Sequence, residues 1–435
     1  MPASPSLLIV PARFKTGKLY TQIATTSAGL VLGSSGDFNV TRGTTATRFN
    51  SAGLIESVAS GVPRLDYYTS GGTAGCPALL VEPAATNFAP NINLMTGLDT
   101  PTVSGGVTLT TGSTDFLAPD GASGSINKYV GGAASGNTQN SRYGAASLIV
   151  TASGTYRFSL FVKAGTTNPL NFCAIAFSLF TGGSGTSSSF FNLASGTAIT
   201  AGASIENYGD GWYRCISAPY TIASSDLSGT VYFNLASSSG SISWSASGAL
   251  NLTAYTWGAQ MEAGSVATSY IPTTTASVTR NADVITLSGA VSGCIGQTEG
   301  TMYAEFEYRT DTSTRRILAL SDGSQANRVM LIFAAGSVFA QINAQNINIG
   351  TPVAGYNKAA FGYIQNGVSG TLTASLNGAA VVSGTSATYP ASLNTVNLGK
   401  IEDTATTGQI NSRIRSAAIY TSRLSNAELI ALSTL

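Results

Sequence analysis

The chain is predicted to be all-β: an N-terminal segment, then two β-sandwich domains, with one short C-terminal helix. Three observations predict this. Short runs of alternating apolar and polar residues recur along the 435 residues, which is the period of half-buried strands. Clusters of Gly, Ser and Thr separate the runs, and 49 glycines supply turns. Only the C-terminus shows a helix signal. Many short strands joined by such turns read as sandwiches, the first of them a jelly roll.

Composition narrows the function. Apolar residues make up 43% of the chain, enough for real cores, but charged residues only 9%, against roughly a quarter in an ordinary domain. The polar surface therefore consists of small side chains that lose little entropy on ordering. The net charge is +1, from 21 basic and 20 acidic residues. No basic run could displace counterions from nucleic acid, so none is expected as a partner. The longest charged cluster, Arg315-Arg316, reads as a solvated turn.

Histidine is absent, which removes the commonest general base, the commonest metal ligand and every Ser-His-Asp arrangement. Cys76, Cys173, Cys215 and Cys294 have no CxxC spacing. Cys173 and Cys215 lie in apolar strand-like runs and read as buried thiols, with a disulfide between them left open. The longest apolar run before Pro11 is the four residues Leu7–Val10, against about 7–15 residues in a secretory signal. No run approaches the ~18 apolar residues of a membrane span. Neither export by that route nor membrane insertion is expected.

In order along the chain, residues 1–95 hold short strands in "SLLIVPARFKTGKLYTQI" and "DFNVTRGTTATRFNSAGLIESV". Here Arg48, Glu56, Arg64, Asp66 and Glu82 crowd between Leu54-Ile55, Leu65 and Leu79-Leu80-Val81. "EPAATNFAPNINLM" reads as an extended connector, because its prolines oppose helix and weaken sheet. Residues 96–280 form the first sandwich. "TYRFSLFVKAG" puts Tyr156, Phe158, Leu160 and Val162 on one face. "LNFCAIAFSLF" reads as a strand covered on both faces. "TAYTWGAQMEAG" puts Tyr255, Trp257, Ala259 and Met261 together.

Residues 281–435 form the second sandwich. "GTMYAEFEYRTD" alternates, "RRILALSDGSQANRVMLIF" is a hairpin about Asp-Gly, and Asn377-Gly378 marks another. Ser425-Asn426-Ala427-Glu428 is a capping box opening the helix. A short echo, "TATRFN" against "SVTRNAD", suggests that the second Thr-Arg segment is a strap into the last domain.

Three stretches carry a resemblance. The N-terminal "SLLIVPARFKTGKLYTQI", "TRGTTATRFNSAGLIESVASGVPRLDY" and "CPALLVEPAATN" resemble virion proteins of tailed bacteriophages, of the head-spike, head-fibre and tail-fibre kind. "LAPDGASGSINKYV", "DGWYR" and "WGAQMEAGSVATSYIPT" look like carbohydrate-binding jelly rolls in the same proteins. "INSRIRSAAIYTSRLSNAELIAL" is similar to the last strand and helix of concanavalin-like, laminin-G-type sandwiches.

The resemblance implies a virion structural protein, made in the bacterial cytoplasm and mounted on head or tail, that adheres to cell-surface polysaccharide. Residues 1–95 would dock to other virion proteins and form a homotrimer. Arg48, Glu56, Arg64, Asp66 and Glu82 then pair across chains, or alternatively pair within one folded unit or simply face solvent. The alternatives are a purely structural decoration and a polysaccharide depolymerase. For the latter, Glu305 and Glu307 share a strand face, with Asp311 following. Retaining hydrolysis needs carboxylates about 5–5.5 Å apart, which that spacing permits. With no acidic motif around them, no enzyme is expected.

Sugar contacts need exposed aromatics with polar neighbours. Trp244, alone among Ser and Gly, is the first candidate, and Trp212 with Arg214 the second; Trp257 is expected in the core. In the last domain the candidates are turn-borne Asp322, Arg328, Tyr356 and Asn357. Asp120 or Asp322 could contribute to a calcium site, but both are equally well explained as turn residues and neither has a second acid at calcium-loop spacing, so calcium is left open, no metal ligand is assigned and no cofactor is expected.

Overall fold

The computed structural model describes residues 4–25, 29–32, 37–89, 102–104, 107–132, 137–149, 153–178, 180, 185–223, 225, 228–244, 251–288, 292–309, 313–400 and 408–435. Among them the chain is all-β, with one short 3-10 turn and one α-helix, Asn426–Ser433. No described helix is long and apolar enough to cross a membrane.

The middle of the chain is a sandwich of two antiparallel sheets. One runs Thr102–Ser104, Asn137–Ile149, Ser228–Ala236, Phe172–Ser178, Ser187–Asn192, Thr197–Ala198. The other runs Thr108–Ser113, Ile126–Val130, Thr253–Ala263, Thr155–Ala164, Trp212–Ile216, Ser204–Asn207. Tyr156, Phe158, Leu160 and Val162 do point together into the core, against Cys173, Ile175, Phe177, Phe233 and Leu235.

The predicted alternation fails in Thr253–Ala263. Tyr255 and Trp257, both buried as expected, belong to a second hydrophobic core cluster on the other face of this sheet, whereas Ala259 and Met261 belong to the core between the two sheets. The cause is a bulge: Ser159 pairs with Gln260 but Phe161 pairs with Trp257, so two residues oppose one. Gly258 takes the extra residue at φ +62, and a Cβ there would meet the Phe161 ring at 2.9 Å. The bulge turns one strand from one face to the other.

The second sandwich is not built from residues 281–435 alone. Its last strand, Ser412–Tyr420, is paired by Leu79–Val81 along its first half and by Leu7–Ile9 along its second. In the opposing sheet, Val284–Ser288 is paired by Phe38–Thr41. Leu7, Ile9, Phe38, Val40, Leu79 and Val81 share one core with Met302, Phe306, Leu331, Phe361 and Ile419. Residues 1–95, read from the sequence as an N-terminal segment too thin to bury a core alone, contribute most of their described strands to the C-terminal sandwich. The physical reason is that so few short strands cannot bury a core by themselves. The boundary expected at 95–96 lies outside the described residues.

The middle sandwich is thus an insertion. Chain leads into it along Ala85–Asn87 and out along Val278–Arg280, and these two strands pair antiparallel. That is the strap expected from the Thr-Arg echo. The Asp322 hairpin forms between Arg315–Ser321 and Arg328–Ala334. Asn377 and Gly378 turn with φ +51 and +75, the left-handed pair a tight hairpin requires. The Ser425–Glu428 capping box is present in both directions, and the helix lays Leu429 on a cluster with Tyr303, Ala360 and Ala418.

Candidate functional site

Between the two sandwiches lies the charge cluster that stands out in the sequence. Arg64 and Glu82 are fully buried and pair at 2.8 Å, and Arg64 also pairs with Asp283. Arg42 reaches Asp283 at 2.8 Å, and Arg280 stands 3.4 Å from Glu82. Asp66 pairs with Arg413 at 2.7 Å, and Arg48 with Glu56 at 2.6 Å across a hairpin. Each of the five charges proposed for an interface thus has a partner within the chain, and burial leaves Arg64, Asp66 and Glu82 no face for a second one. The void lined by Asp66, Glu82, Arg214 and Arg413 holds about 20 Å³, room for roughly one water. Arg64, Asp66 and Glu82 are structural.

What the cluster positions is the segment 267–273. Glu82 accepts from the Ser269 backbone N–H and hydroxyl, both at 2.7 Å. The Thr47 hydroxyl donates to the Tyr270 carbonyl, and the Gln260 side chain accepts from Ile271 N–H at 2.6 Å. So held, Tyr270 lies against Trp257, ring centroids 4.6 Å apart. The hairpin of Ala46–Phe49 and Ile55–Val58 flanks them.

The result is an open groove of about 320 Å³, at the lower end of ligand-site volumes, roughly 300–1,000 Å³. Trp257 and Tyr270 are in its floor, with 4% and 8% of their surface exposed. Asp120, Glu56, Ser57, Ser125 and Thr274 stand around them. Asp120 sits in the turn closed by Gly121, with one carboxylate oxygen accepting from Ala122 N–H at 3.0 Å. The Ser125 hydroxyl has no hydrogen-bond partner. Burial, and then the Asp120 carboxylate, push the Tyr270 hydroxyl well above its usual range, so it stays a donor. Carboxylate acceptors, hydroxyls and aromatic carbon converge here, the inventory that polyhydroxylated ligands require.

The sequence-derived sugar candidates do not converge. Trp212 and Arg214 are 3% and 1% exposed. Trp212 donates its indole N–H to Leu117 O at 3.0 Å, and Arg214 donates to Thr268 O at 2.7 Å. Both are used inside, because the outer face of their sheet is covered. Trp244 ends the short strand Ser243–Trp244, and its side chain lies outside the described residues, as does Asp311 altogether.

Asn357 is buried and occupied by Val353, Gly355 and Asn377. Asp322 closes its own loop on Ser324 and Asn327. Arg328 donates to Asn343 O at 3.2 Å. Tyr356 lies under Arg415, 3.5 Å from the guanidinium carbon to the ring centroid. Tyr356 and Asn357 are in one sheet, Asp322 and Arg328 at a hairpin of the other.

Glu305 is bound by Arg415 at 2.9 Å and Glu307 by Arg413 at 2.7 Å. Cys173 and Cys215 are both free and buried. Among the described residues no group of three Cys, Asp or Glu is placed to hold a metal.

Sequence reasoning missed Trp257, Tyr270 and Asp120 as a site. The signal was the Gly after Trp257, which breaks the alternation and moves that ring outward.

No family model and no curated protein matches the sequence. Among solved structures, the CBM40 of a Ruminococcus gnavus IT-sialidase, bound to α2,3-sialyllactose, is similar over 32% of this chain and 84% of that one, at 16% identity and TM-score 0.28. The NanB sialidase of Streptococcus pneumoniae matches over 34% of this chain and 26% of that one, at 17% and 0.28. The receptor-binding domain of a botulinum neurotoxin mosaic of serotype C/D matches over 35% and 39%, at 13% and 0.27. Likeness this low decides nothing about ligand or activity.

Proposed function

We propose that this chain is a non-catalytic adhesion protein that holds glycans in the groove of Trp257, Tyr270 and Asp120. The observation that carries the reading is the convergence of two aromatic rings, the Asp120 carboxylate and the side chains of Ser57, Ser125 and Thr274 at one open groove. The rings show little surface, so each site is weak, and display in several copies multiplies it by about 10²–10⁴. The resemblance of the N-terminal and jelly-roll motifs supports a place on a tailed-phage particle, as a head or tail spike or fibre assembled as a homotrimer. Against depolymerase activity stand Glu305 and Glu307, each held by its own arginine.

The test is retention of the purified chain on extracted bacterial surface polysaccharides, with Asp120→Ala beside it. Saturable retention that Asp120→Ala weakens supports adhesion through this groove. Retention indifferent to Asp120 moves the site, and no retention leaves a decoration protein. Light scattering on the same sample tests the trimer, which a monomeric mass contradicts.

A further inference from the structure

The groove continues past Pro272. Thr47, Ser57 and Pro272 also line a second cavity of about 380 Å³, whose wall includes Thr44, Thr45, Val278, Thr279 and Arg280. We propose that this second cavity is the acidic-sugar subsite of the same groove, and that the ligand is an oligosaccharide whose carboxylate lies at the Arg280 end. The inference rests on the glycan reading and names its substrate class.

Three observations carry it. First, Arg280 is 1% exposed, yet its Nε and Nη1 have no hydrogen-bond acceptor. Its Nη2 is satisfied, donating to Pro83 O at 2.9 Å, while Nη1 stands 3.8 Å from Asp283. Buried guanidinium donors without acceptors are costly, and the planar fork of arginine suits a carboxylate.

Second, Arg280 shares its carboxylates with other guanidiniums. Glu82 also binds Arg64, and Asp283 binds both Arg64 and Arg42, while the buried Glu262 adds a third carboxylate nearby. Arg280 meets Glu82 at 3.4 Å and Asp283 at 3.8 Å, which leaves its guanidinium donor capacity for a further carboxylate.

Third, the two cavities have opposite polarity. Asp120 and Glu56 stand at one and Arg280 at the other. An acidic saccharide is thereby oriented: its carboxylate is repelled from the aromatic end, where neutral sugar hydroxyls meet Asp120. The shared residues Thr47, Ser57 and Pro272 make the path continuous.

The experiment titrates the full chain with carboxylated surface polysaccharides before and after chemical reduction of their carboxyls to alcohols, with sulfated dextran as a polyanion control. The native polysaccharide is expected to bind at least about 10-fold more tightly than its reduced form. Thr279→Glu and Thr45→Glu, both at exposed positions of the second cavity, are expected to remove that preference. Equal binding of native and reduced forms, still weakened by Asp120→Ala, overturns the acidic subsite and leaves the glycan reading standing. Binding of sulfated dextran as tight as that of the carboxylated polysaccharide overturns it too, since any polyanion then suffices. Absence of binding to every preparation overturns both readings.

Discussion

Asp66 and Arg413, 347 positions apart in the chain, lie 2.7 Å from each other with both side chains almost completely buried. Asp66 also accepts from the backbone N–H groups of Phe49 and Tyr68, each at 3.0 Å. Arg413 continues to Glu307 at 2.7 Å and covers the Tyr68 ring. One pair thus ties the hairpin beside the groove to the last strand of the C-terminal sandwich.

Removing one partner strands a buried charge. Asp66→Ala is expected to destabilise the chain by about 3–5 kcal/mol, whereas Asp66→Ala with Arg413→Met recovers part of the loss. Thermal unfolding of the two single variants and the double variant measures the coupling. Additive losses would show that the pair does not act as one.

The insertion architecture predicts unequal fragments. The segment 84–278 carries the whole of one core, so it is expected to fold alone. The segment 281–435 lacks the strands Leu7–Ile9, Phe38–Thr41 and Leu79–Val81, and its sheets are left with open edges. Circular dichroism and proteolysis of each fragment check this. A stable, soluble 281–435 would contradict the shared core.

Acid is expected to loosen the junction. Burial opposes the charge of Glu82, but Arg280 and Arg64 hold its carboxyl well below the ordinary 4.5. Glu206, likewise buried, is held down by Arg309, Arg214 and Arg413. Just below pH 4.5 the unfolded chain then binds more protons than the folded one, so this stabilisation is complete above that pH and lost as the pH falls further. Glu262 runs the other way: burial raises its pKa, so its contribution is full below 4.5 and lost as the pH rises through the raised value. Melting temperatures from pH 3 to pH 7 should fall steeply on the acid side, and Glu262→Gln should remove any decline above pH 4.5. An acid limb absent from the wild-type chain would contradict the ion-pair account.

Thiol reactivity separates the cysteines. Cys76 is exposed, while Cys173, Cys215 and Cys294 are buried. The native chain should react at Cys76 alone with a thiol reagent, and at all four after denaturation. Fast labelling of Cys173 or Cys215 in the native state would mean that the middle sandwich opens readily.

Much of the fold is legible in local pattern. Period-2 runs such as Tyr156 to Val162 and the Ser425–Glu428 capping box need only neighbouring residues to specify them. The partners of Leu79–Val81 do not follow from local pattern, since nothing near them says that their edge closes on Ser412–Tyr420. The charge cluster is visible as charges, but its closure depends on Arg280 and Asp283, some two hundred residues away. The groove was hidden for a further reason. Trp257 reads as core by alternation and is buried, but a single left-handed glycine at 258 sets it on the opposite face of the sheet from Met261.

The most direct test of the central claim is calorimetric titration of the intact chain and of Thr274→Trp with a polysaccharide that retains the wild-type chain. Thr274 is an exposed residue of the groove wall, so the indole should fill the site without disturbing the core. The account predicts a saturable isotherm for the wild type and its loss in the variant at unchanged melting temperature. An isotherm unaltered by Thr274→Trp would contradict it and place the binding site elsewhere.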